Sequence, residues 1–563
     1  MRFGTGPGEK LPPPVGTSEW ATFSRDSYCV DKTLVLKDLI DSKSRTVLFT
    51  RPRRFGKTTM LKMIRAFYEK RIKRDGSPED TSYLFADKKI WAAGEKYRAE
   101  QGKRPVIYFT FKDVEGQCWE DALAKLKAFV ASEVGRFRQS FNSLEDVSEL
   151  ARLERVRLEK GDVNDLGMSL GLLAKAVDLH FGIAPVILID EYDQPITKAS
   201  TYGYYDPMVL LMKAFLSGAL KDNRHCHLGI MTGVLRVAKE GILSGLNNLD
   251  VWTVFDAEYS EYFGFTESEV EELARYYESE DKLPEIKAWY DGYDFGGTEI
   301  FNPWSVLQYF KRHCRPDAYW LDTSSNDLIA ELVRDLPHDM TRTLEALLSG
   351  ESVTVPMAKD LGPYRYLRDK AETLYALLVS AGYLTTLTPI VNGVCEVSLP
   401  NRELSQIFVS EIRSKINSHL RRGTVGIAAA LLKRDMEALK SSIESFLLES
   451  VSYFDAAAEG FFHGLTLGFL SVLRDDFHVM SNIESGEGRF DIALKPHAPP
   501  VYPAFIIEVK HAKSEDADLA ALAREARAQI DSRKYDTAFR AEGVIDIVKI
   551  GLAFYRGRIA IEK

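Results

Sequence analysis

The sequence is short of cysteine. Its five cysteines, Cys29, Cys118, Cys226, Cys314 and Cys395, are scattered along 563 residues, which argues against a zinc knuckle or a disulfide framework. It also lacks a long apolar run. The longest nearly uncharged stretch, around Phe461–Leu473, contains a histidine and is too short for a bilayer span, so no membrane partner is expected. The N-terminal residues are rich in Gly and Pro and have no apolar signal core, which predicts a cytoplasmic protein with residues 1–17 as a flexible leader. Positive charge is not in excess either. With 73 Lys and Arg against 82 Asp and Glu the net charge is −9, which excludes a basic nucleic-acid coat but not a local basic site. There is no internal repeat and no low-complexity tract. What is present is ordinary globular composition, 45 % apolar and 28 % charged. A chain of this length allows roughly three to five domains.

The first half alternates short β-rich runs with long helical patterns. The expected strands are Thr46–Thr50, Pro105–Phe111, Pro185–Asp190, His227–Thr232 and Val251–Phe255. Such alternation predicts a parallel sheet with helices on both faces. Past Phe263 helical patterns dominate. Thr266 with Glu269 has capping-box spacing, and an aromatic-rich turn region, Trp289–Trp304, reads mainly as a small packed core. Leu374–Leu387 reads as helix, Gly turn and strand, compatible with a winged-helix-like unit. A second α/β pattern starts near Val451: helix Asp455–Leu473, strands Arg489–Leu494 and Ala504–Val509, helix Asp518–Lys534 and strand Val544–Ala553. The expected domains are therefore 18–262, 263–400, a helical connector 401–450, and 451–563.

Chemistry first appears in RPRRFGKTTM, between the first strand and a helix. Gly56 lets backbone N–H groups approach phosphate oxygens, and the helix N-terminus adds partial positive charge. Lys57 is placed to bridge the β- and γ-phosphates of ATP, and the Thr58 hydroxyl to bind Mg²⁺, with Phe55 and Thr59 flanking them. Arg51 stands where the usual pattern has its first glycine, so Arg51, Arg53 and Arg54 are expected as further cations beside the polyphosphate. The rest of Arg51–Arg74 is also basic and reads as a solvated helical face. The strand PVILID ends in Asp190 and Glu191. Asp190 is placed as a water-mediated Mg²⁺ ligand and Glu191 as the group that polarises the attacking water. Thr232, at the tip of the next strand, is expected to sense the γ-phosphate. Arg236 is a candidate charge stabiliser, in cis or toward a neighbouring copy, and so leaves room for a homo-oligomer. Asp193 equally suits a helix cap.

This half resembles the AAA-ATPase-like family of bacteria and archaea. The matching pieces are YCVDKT, RPRRFGKTT, LIDEYDQPI, TGVLRVAKEGILSGLNNL and FGFTESEV, within about residues 18–300. The resemblance makes Arg51 an expected residue. It implies an ATPase of the additional-strand catalytic-glutamate type, with Glu191 as the glutamate. It also implies that Asp31, Lys32 and Thr33 lie near adenine and ribose, and that the helices after Phe263 form a lid.

The second signal lies near the C-terminus. Asp491 is on one expected strand, and Glu508, Val509 and Lys510 end the next. Residues i and i+2 of a strand share a face, so Glu508 and Lys510 point together and Val509 points into the core. Two carboxylates with a lysine suit a Mg²⁺-dependent phosphodiester hydrolase. This is the pattern of PD-(D/E)XK nucleases, and EGFFHGLTLGFL, SNIESGEGRFDIAL and ARAQIDSRKY resemble the nuclease-like domain often fused behind AAA-ATPase-like modules. The resemblance implies a restriction-endonuclease-like fold, Glu459 as an auxiliary metal-site acid and Gln529 near the phosphate. His463, one turn from Glu459, reads as a structural histidine. The C-terminal part carries more acidic than basic residues, so it lacks the bulk field that draws in nucleic acid.

The reading is an α/β protein with two engines: an N-terminal P-loop ATPase using ATP and Mg²⁺, and a C-terminal domain that cuts or binds nucleic acid, DNA favoured. Family analogy suggests defence or mobile-element control. The alternative is a nucleotide switch or remodelling ATPase whose nuclease-like domain only binds.

Overall fold

The structure, a computed structural model, describes residues 9–563 except 74, 237–247, 321–342, 344, 345, 348, 349, 359–369, 408–425, 451–465, 467–469, 471, 472, 474, 475, 486, 487, 498–501, 513, 515, 516, 556 and 557. It divides into two compact units, Met1–Val409 and Ser410–Lys563.

The first unit is built on β1 (Thr46–Thr50), β2 (Val106–Thr110), β3 (Val186–Asp190), β4 (Leu228–Gly233) and β5 (Leu249–Trp252). The strands are parallel and ordered β2-β3-β4-β1-β5. β1, β3 and β4 are buried at every residue, which is why their sequences are continuous runs rather than alternating ones. The order sets the carboxyl ends of β3, β4 and β1 side by side, where open parallel sheets bind ligands. On the outer side, helices Val163–Phe181 and Tyr205–Leu220 approach closely: a Cβ on Gly171 would sit 2.5 Å from the Gly218 carbonyl oxygen.

Two expectations need correction here. β5 stops at Trp252 instead of running to Phe255, because Thr253 donates both its N–H and its hydroxyl to Asp256 at 2.7 and 2.8 Å and turns the chain. Residues 9–17 of the expected leader are not loose. Lys10 pairs with Glu278 at 2.8 Å, the Leu11 N–H donates to the Tyr276 hydroxyl at 2.9 Å, and the Tyr277 hydroxyl donates to the Leu11 carbonyl at 3.1 Å. Pro13 and Pro14 are buried. Fixed φ angles reduce the entropy lost when such a segment docks.

Beyond the sheet, helix Glu267–Tyr276 begins with the Thr266–Glu269 capping box that the spacing predicts. A hairpin of β6 (Tyr293–Phe295) and β7 (Thr298–Ile300) leads to helix Pro303–Lys311, capped by the Asn302 side chain. Tyr290, Tyr293, Phe295 and Phe301 are buried, so most of the aromatic-rich region is core. A small antiparallel sheet follows, ordered β8-β10-β9, from β8 (Val353–Pro356), β9 (Thr385–Thr386) and β10 (Val394–Ser398). Helix Ala371–Ser380, Gly382 and β9 reproduce the expected helix, turn and strand.

The second unit holds a five-stranded sheet in sequential order: β11 (Phe477–Ser485), β12 (Gly488–Pro496), β13 (Ala504–His511), β14 (Ile547–Tyr555) and β15 (Arg558–Glu562). β13 and β14 are parallel and the other pairs antiparallel. Helix Leu519–Ser532, capped by Asp518, makes the crossover that a parallel pair requires. It lies so close to β14 that a Cβ on Gly551 would meet the Ala523 carbonyl oxygen at 2.1 Å. The expected helix Asp455–Leu473, with Glu459 and His463, lies largely outside the described residues, as do Glu459 and His463 themselves. Among the described residues no helix is long and apolar enough to cross a membrane.

Candidate functional sites

In the first unit, β1 leads through residues 51–56 into helix Lys57–Tyr68. Gly56 takes φ +84°, a left-handed conformation that glycine adopts without steric cost. Lys57 is buried, and its ammonium donates to the carbonyls of Arg51 and Pro52 at 2.8 and 2.7 Å. Burial pulls its pKa down to about 8, opposed by the charges of Glu191, Asp190 and Asp193. Asp190, at the end of β3, is buried and accepts from two hydroxyls: Thr58 at 2.7 Å and Thr232 at 2.6 Å. Residues from the helix after β1 and from the end of β4 thus meet on the carboxylate that ends β3.

Glu191 follows with φ +53°, unusual for a residue with a side chain. Burial raises its carboxyl above the ordinary range, and the neighbouring Asp190 adds to the shift. Asp193 is buried and accepts the backbone N–H groups of Val234 and Leu235, both at 2.8 Å. It therefore clamps the tip of β4 and makes no cap to its own helix. The Tyr192 hydroxyl joins the clamp through the Leu235 carbonyl at 2.7 Å. Gly233 is required beneath it, because a Cβ there would lie 2.7 Å from Asp193 Oδ1.

The loop, Asp190 and Glu191 open on a cavity of about 880 Å³, lined by Arg53, Arg54, Phe55, Gly56, Lys57, Thr58, Thr59, Asp190 and Glu191 on one side; Thr232 is buried behind Asp190 and is not among the lining residues. Lys32, Phe265 and Trp304 contribute to the other walls. The volume and the lysine suit a nucleoside triphosphate.

Three expected placements are changed. Arg51 does not line the cavity. It is fully buried, donates to the carbonyls of Thr50 and Trp252 at 2.9 and 3.0 Å, and lies 5.1 and 5.3 Å from the ring centres of Phe263 and Phe295. Burial lowers its pKa to about 9. Its long side chain cannot reach the cavity because it fills the space under the loop. Asp31 and Thr33 also face away from the cavity. Asp31 accepts from the Thr33 N–H at 2.8 Å, its hydroxyl at 2.6 Å and the Lys89 N–H at 2.6 Å, which pins two helix starts together. Of that trio Lys32 alone lines the cavity, and it pairs with Glu269. Arg236 follows the β4 clamp, is half-buried and is not among the cavity-lining residues. Residues 237–247 beyond it are outside the described set.

Trp304 belongs to the aromatic-rich region whose rings could stack on bases but read mainly as core. It lines the cavity and carries the Arg54 guanidinium 4.5 Å from its ring centre. Its position, directly after the helix-capping Asn302 and Pro303, was the available signal. Phe55 meets Tyr293 edge-on at 4.9 Å.

In the second unit, β12 and β13 pair Ile492 with Ile507. One step further along the same register stand Asp491 and Glu508. Asp491 accepts the Val509 N–H at 2.8 Å. Glu508 is 5 % exposed, accepts from the Gln529 amide of the crossover helix, and has its other carboxylate oxygen buried without a hydrogen bond. Burial raises its pKa to about 7, and Asp491 adds to the rise. Val509 packs into the core as alternation predicts. Lys510 shares the Glu508 face and pairs with Glu525 at 3.2 Å. Among the described residues no group of three or more His, Cys, Asp or Glu is gathered for a metal. The orphaned oxygen of Glu508 beside Asp491 nevertheless suits a divalent cation, which would give that oxygen a partner.

Comparison with known proteins agrees with this division. Residues 14–243 match the family of predicted AAA-ATPases, and residues 457–563 match the PD-(D/E)XK nuclease superfamily. The chain is 27 % identical over 389 residues to an uncharacterized protein in the vnfD 5′ region of Azotobacter chroococcum mcd 1. That match covers 66 % of this chain, and the chain spans 63 % of the relative's length. A solved structure, a STAND (signal transduction ATPase with numerous domains) protein with a tetratricopeptide repeat sensor from Pyrococcus horikoshii, is 13 % identical. The similarity covers 84 % of this chain and 60 % of that one, at a TM-score of 0.23.

Proposed function

We propose that this chain, AAA-ATPase-like in its first half and nuclease-like at its end, binds and hydrolyses ATP with Mg²⁺ in the first-unit cavity and acts on nucleic-acid phosphodiesters, DNA favoured, at the second-unit site. The observation that carries the reading is the convergence of Thr58 and Thr232 on Asp190, with Lys57 and Glu191 lining the same cavity. In this reading Lys57 leaves its two loop carbonyls for the β- and γ-phosphates. Arg53 and Arg54 add positive charge at the cavity wall. Glu191, whose burial favours proton uptake, accepts the proton of the attacking water. Thr232 reports the γ-phosphate to the β4 tip that Asp193 clamps. Thr58 and Asp190 would hold the Mg²⁺, directly or through water.

At the second site Asp491 and Glu508 would hold the metal. A divalent ion bound there supplies charge neutralisation at the phosphate and acidifies its water. Lys510 offsets charge developing on the phosphate, and Gln529 orients Glu508. We place the protein in the cytoplasm, acting in defence or mobile-element control.

The test is a panel on purified full-length protein. Plasmid, linear and single-stranded DNA and RNA are incubated with Mg²⁺ or Mn²⁺, with and without ATP. Wild type, Lys57→Ala and Lys510→Ala are compared. Cutting that Lys510→Ala abolishes supports the nuclease reading. ATP hydrolysis without cutting in any lane supports the nucleotide switch in its place.

A further inference from the structure

We propose that Glu403 is a positioning residue of the nucleotide cavity: through Ser305 it holds the wall that Trp304 presents to the phosphate loop, and it ties that wall to the chain segment that runs on toward the second unit. The inference rests on the ATP-binding reading above.

Trp304 and Ser305 are consecutive in the first turn of helix Pro303–Lys311. The first lines the cavity and stacks on Arg54. The second is completely buried, and its hydroxyl lies 2.9 Å from both carboxylate oxygens of Glu403. The backbone N–H of Trp320 donates to the same carboxylate at 2.9 Å. Glu403 is itself 0 % exposed. Its neighbours Asn401 and Pro400 are fastened to the same region. Asn401 donates to the Asp291 carbonyl at 2.7 Å, and Gly292 approaches Pro400 so closely that a Cβ would lie 2.1 Å from its carbonyl oxygen. Segment 400–404, close before the boundary at Val409, is thus bolted to Asp291 and Gly292 and to helix Pro303–Lys311, whose Pro303, Trp304 and Leu307 line the cavity.

A buried carboxylate without a cation is costly, and a leucine or methionine would fill the same space at less expense. Among the described residues the titratable groups that act on it are Asp317, Tyr290, Tyr293 and Tyr319, and no Lys, Arg or His forms an ion pair with it. Burial raises its pKa to about 7, opposed by the Trp320 N–H and the Ser305 hydroxyl. Ionised, it accepts every donor pointed at it. Protonated, one of its oxygens becomes a donor, the Trp320 N–H and the Ser305 hydroxyl compete for the remaining acceptor, and its hold on Ser305 weakens. The firmness of the Trp304 wall therefore depends on the charge of Glu403.

The experiment measures binding of a fluorescent ATP analogue to the full chain from about pH 6 to about pH 8. It compares wild type, Lys57→Ala, Ser305→Ala, Glu403→Ala and Glu403→Gln. Amide exchange of residues 401–407 is followed with and without the analogue. Ser305→Ala and Glu403→Ala should bind roughly fivefold or more weakly. Wild type should bind better as pH rises through about 7, and Glu403→Gln, which packs alike but cannot ionise, should lose that part of the pH dependence. The analogue should slow exchange at 401–407 in wild type and not in Ser305→Ala. Wild-type affinity and pH profile in Ser305→Ala and Glu403→Gln, with exchange at 401–407 blind to the analogue, would overturn the proposal. If Glu403→Ala does not fold, Ser305→Ala carries the test, because it removes a single hydroxyl. Failure of the ATP reading looks different: wild type binds no analogue, or Lys57→Ala binds it as wild type does, and the proposal falls with that reading.

Discussion

The Thr58 hydroxyl donates to the Asp190 carboxylate at 2.7 Å across 132 positions of sequence. One residue opens the helix after β1 and the other ends β3, and β4 lies between those strands in the sheet. Thr232, from the end of β4, reaches the other oxygen of the same carboxylate. The Asp190 carboxylate is therefore held through both its oxygens. Asp190→Asn should keep the fold and lower ATP turnover by roughly a hundredfold or more, the scale on which preorganised charge acts. Steady-state phosphate release checks this.

Glu191 is the proposed base and has a raised carboxyl pKa. A base must be ionised, so turnover should climb as pH rises through a point above the ordinary carboxylate value and then level off. Glu191→Gln should bind ATP with near-wild-type affinity while hydrolysis falls by roughly 10²–10⁴-fold. Unchanged hydrolysis would remove Glu191 from the mechanism. Single-turnover assays separate binding from chemistry.

Arg51 replaces the usual first glycine of the loop, and its guanidinium is wedged against Phe263 and Phe295. Arg51→Gly should therefore destabilise the first unit, by about 2–4 kcal/mol if each desolvated cation–π contact contributes on the order of 1–2. Arg51→Lys should not restore it, since an ammonium is more strongly hydrated and has no planar face to lay against the two rings. Chemical denaturation reads the loss. An equally stable Arg51→Gly would show that the buried guanidinium holds nothing together.

Glu508 has a folded-state pKa raised from 4.5 to about 7. The folded unit therefore binds a proton more tightly than the unfolded chain, and the stability this provides is present below about 4.5 and lost as pH rises to about 7. Glu508→Gln should remove that loss and stabilise the second unit at neutral pH by roughly 1–3 kcal/mol. The same change should abolish Mg²⁺ affinity, because an amide does not supply the anionic oxygen. Melting curves at acid and neutral pH, with and without Mg²⁺, measure both.

A tight helix–strand approach gives a control on the fold. Gly551→Val should unfold or strongly destabilise the second unit, since even a Cβ would overlap the Ala523 carbonyl oxygen. Circular dichroism of the variant checks it.

Much was legible in the sequence because it is local. The runs TVLFT, VILID and FIIEVK must be buried strands, since nothing in them is polar enough to face water until their ends. Thr266 with Glu269 caps a helix within a single turn, and Glu508 with Lys510 shares a face by the period of two alone. Those regularities are fixed by backbone geometry over a few residues, so the sequence by itself settled where the chemistry-bearing side chains begin.

Only the tertiary structure decided what those side chains meet. The strand order β2-β3-β4-β1-β5 brings Thr58, Asp190 and Thr232 together and lets Asp193 reach the far tip of β4. The same packing turns Arg51 inward between two rings, draws Lys10 and Leu11 onto Tyr276 and Tyr277, and sets Glu403 against Ser305. Burial and pairing are properties of neighbours distant in sequence, and residue type carries no record of them: an arginine in a phosphate loop looks alike whether it faces a phosphate or a phenylalanine.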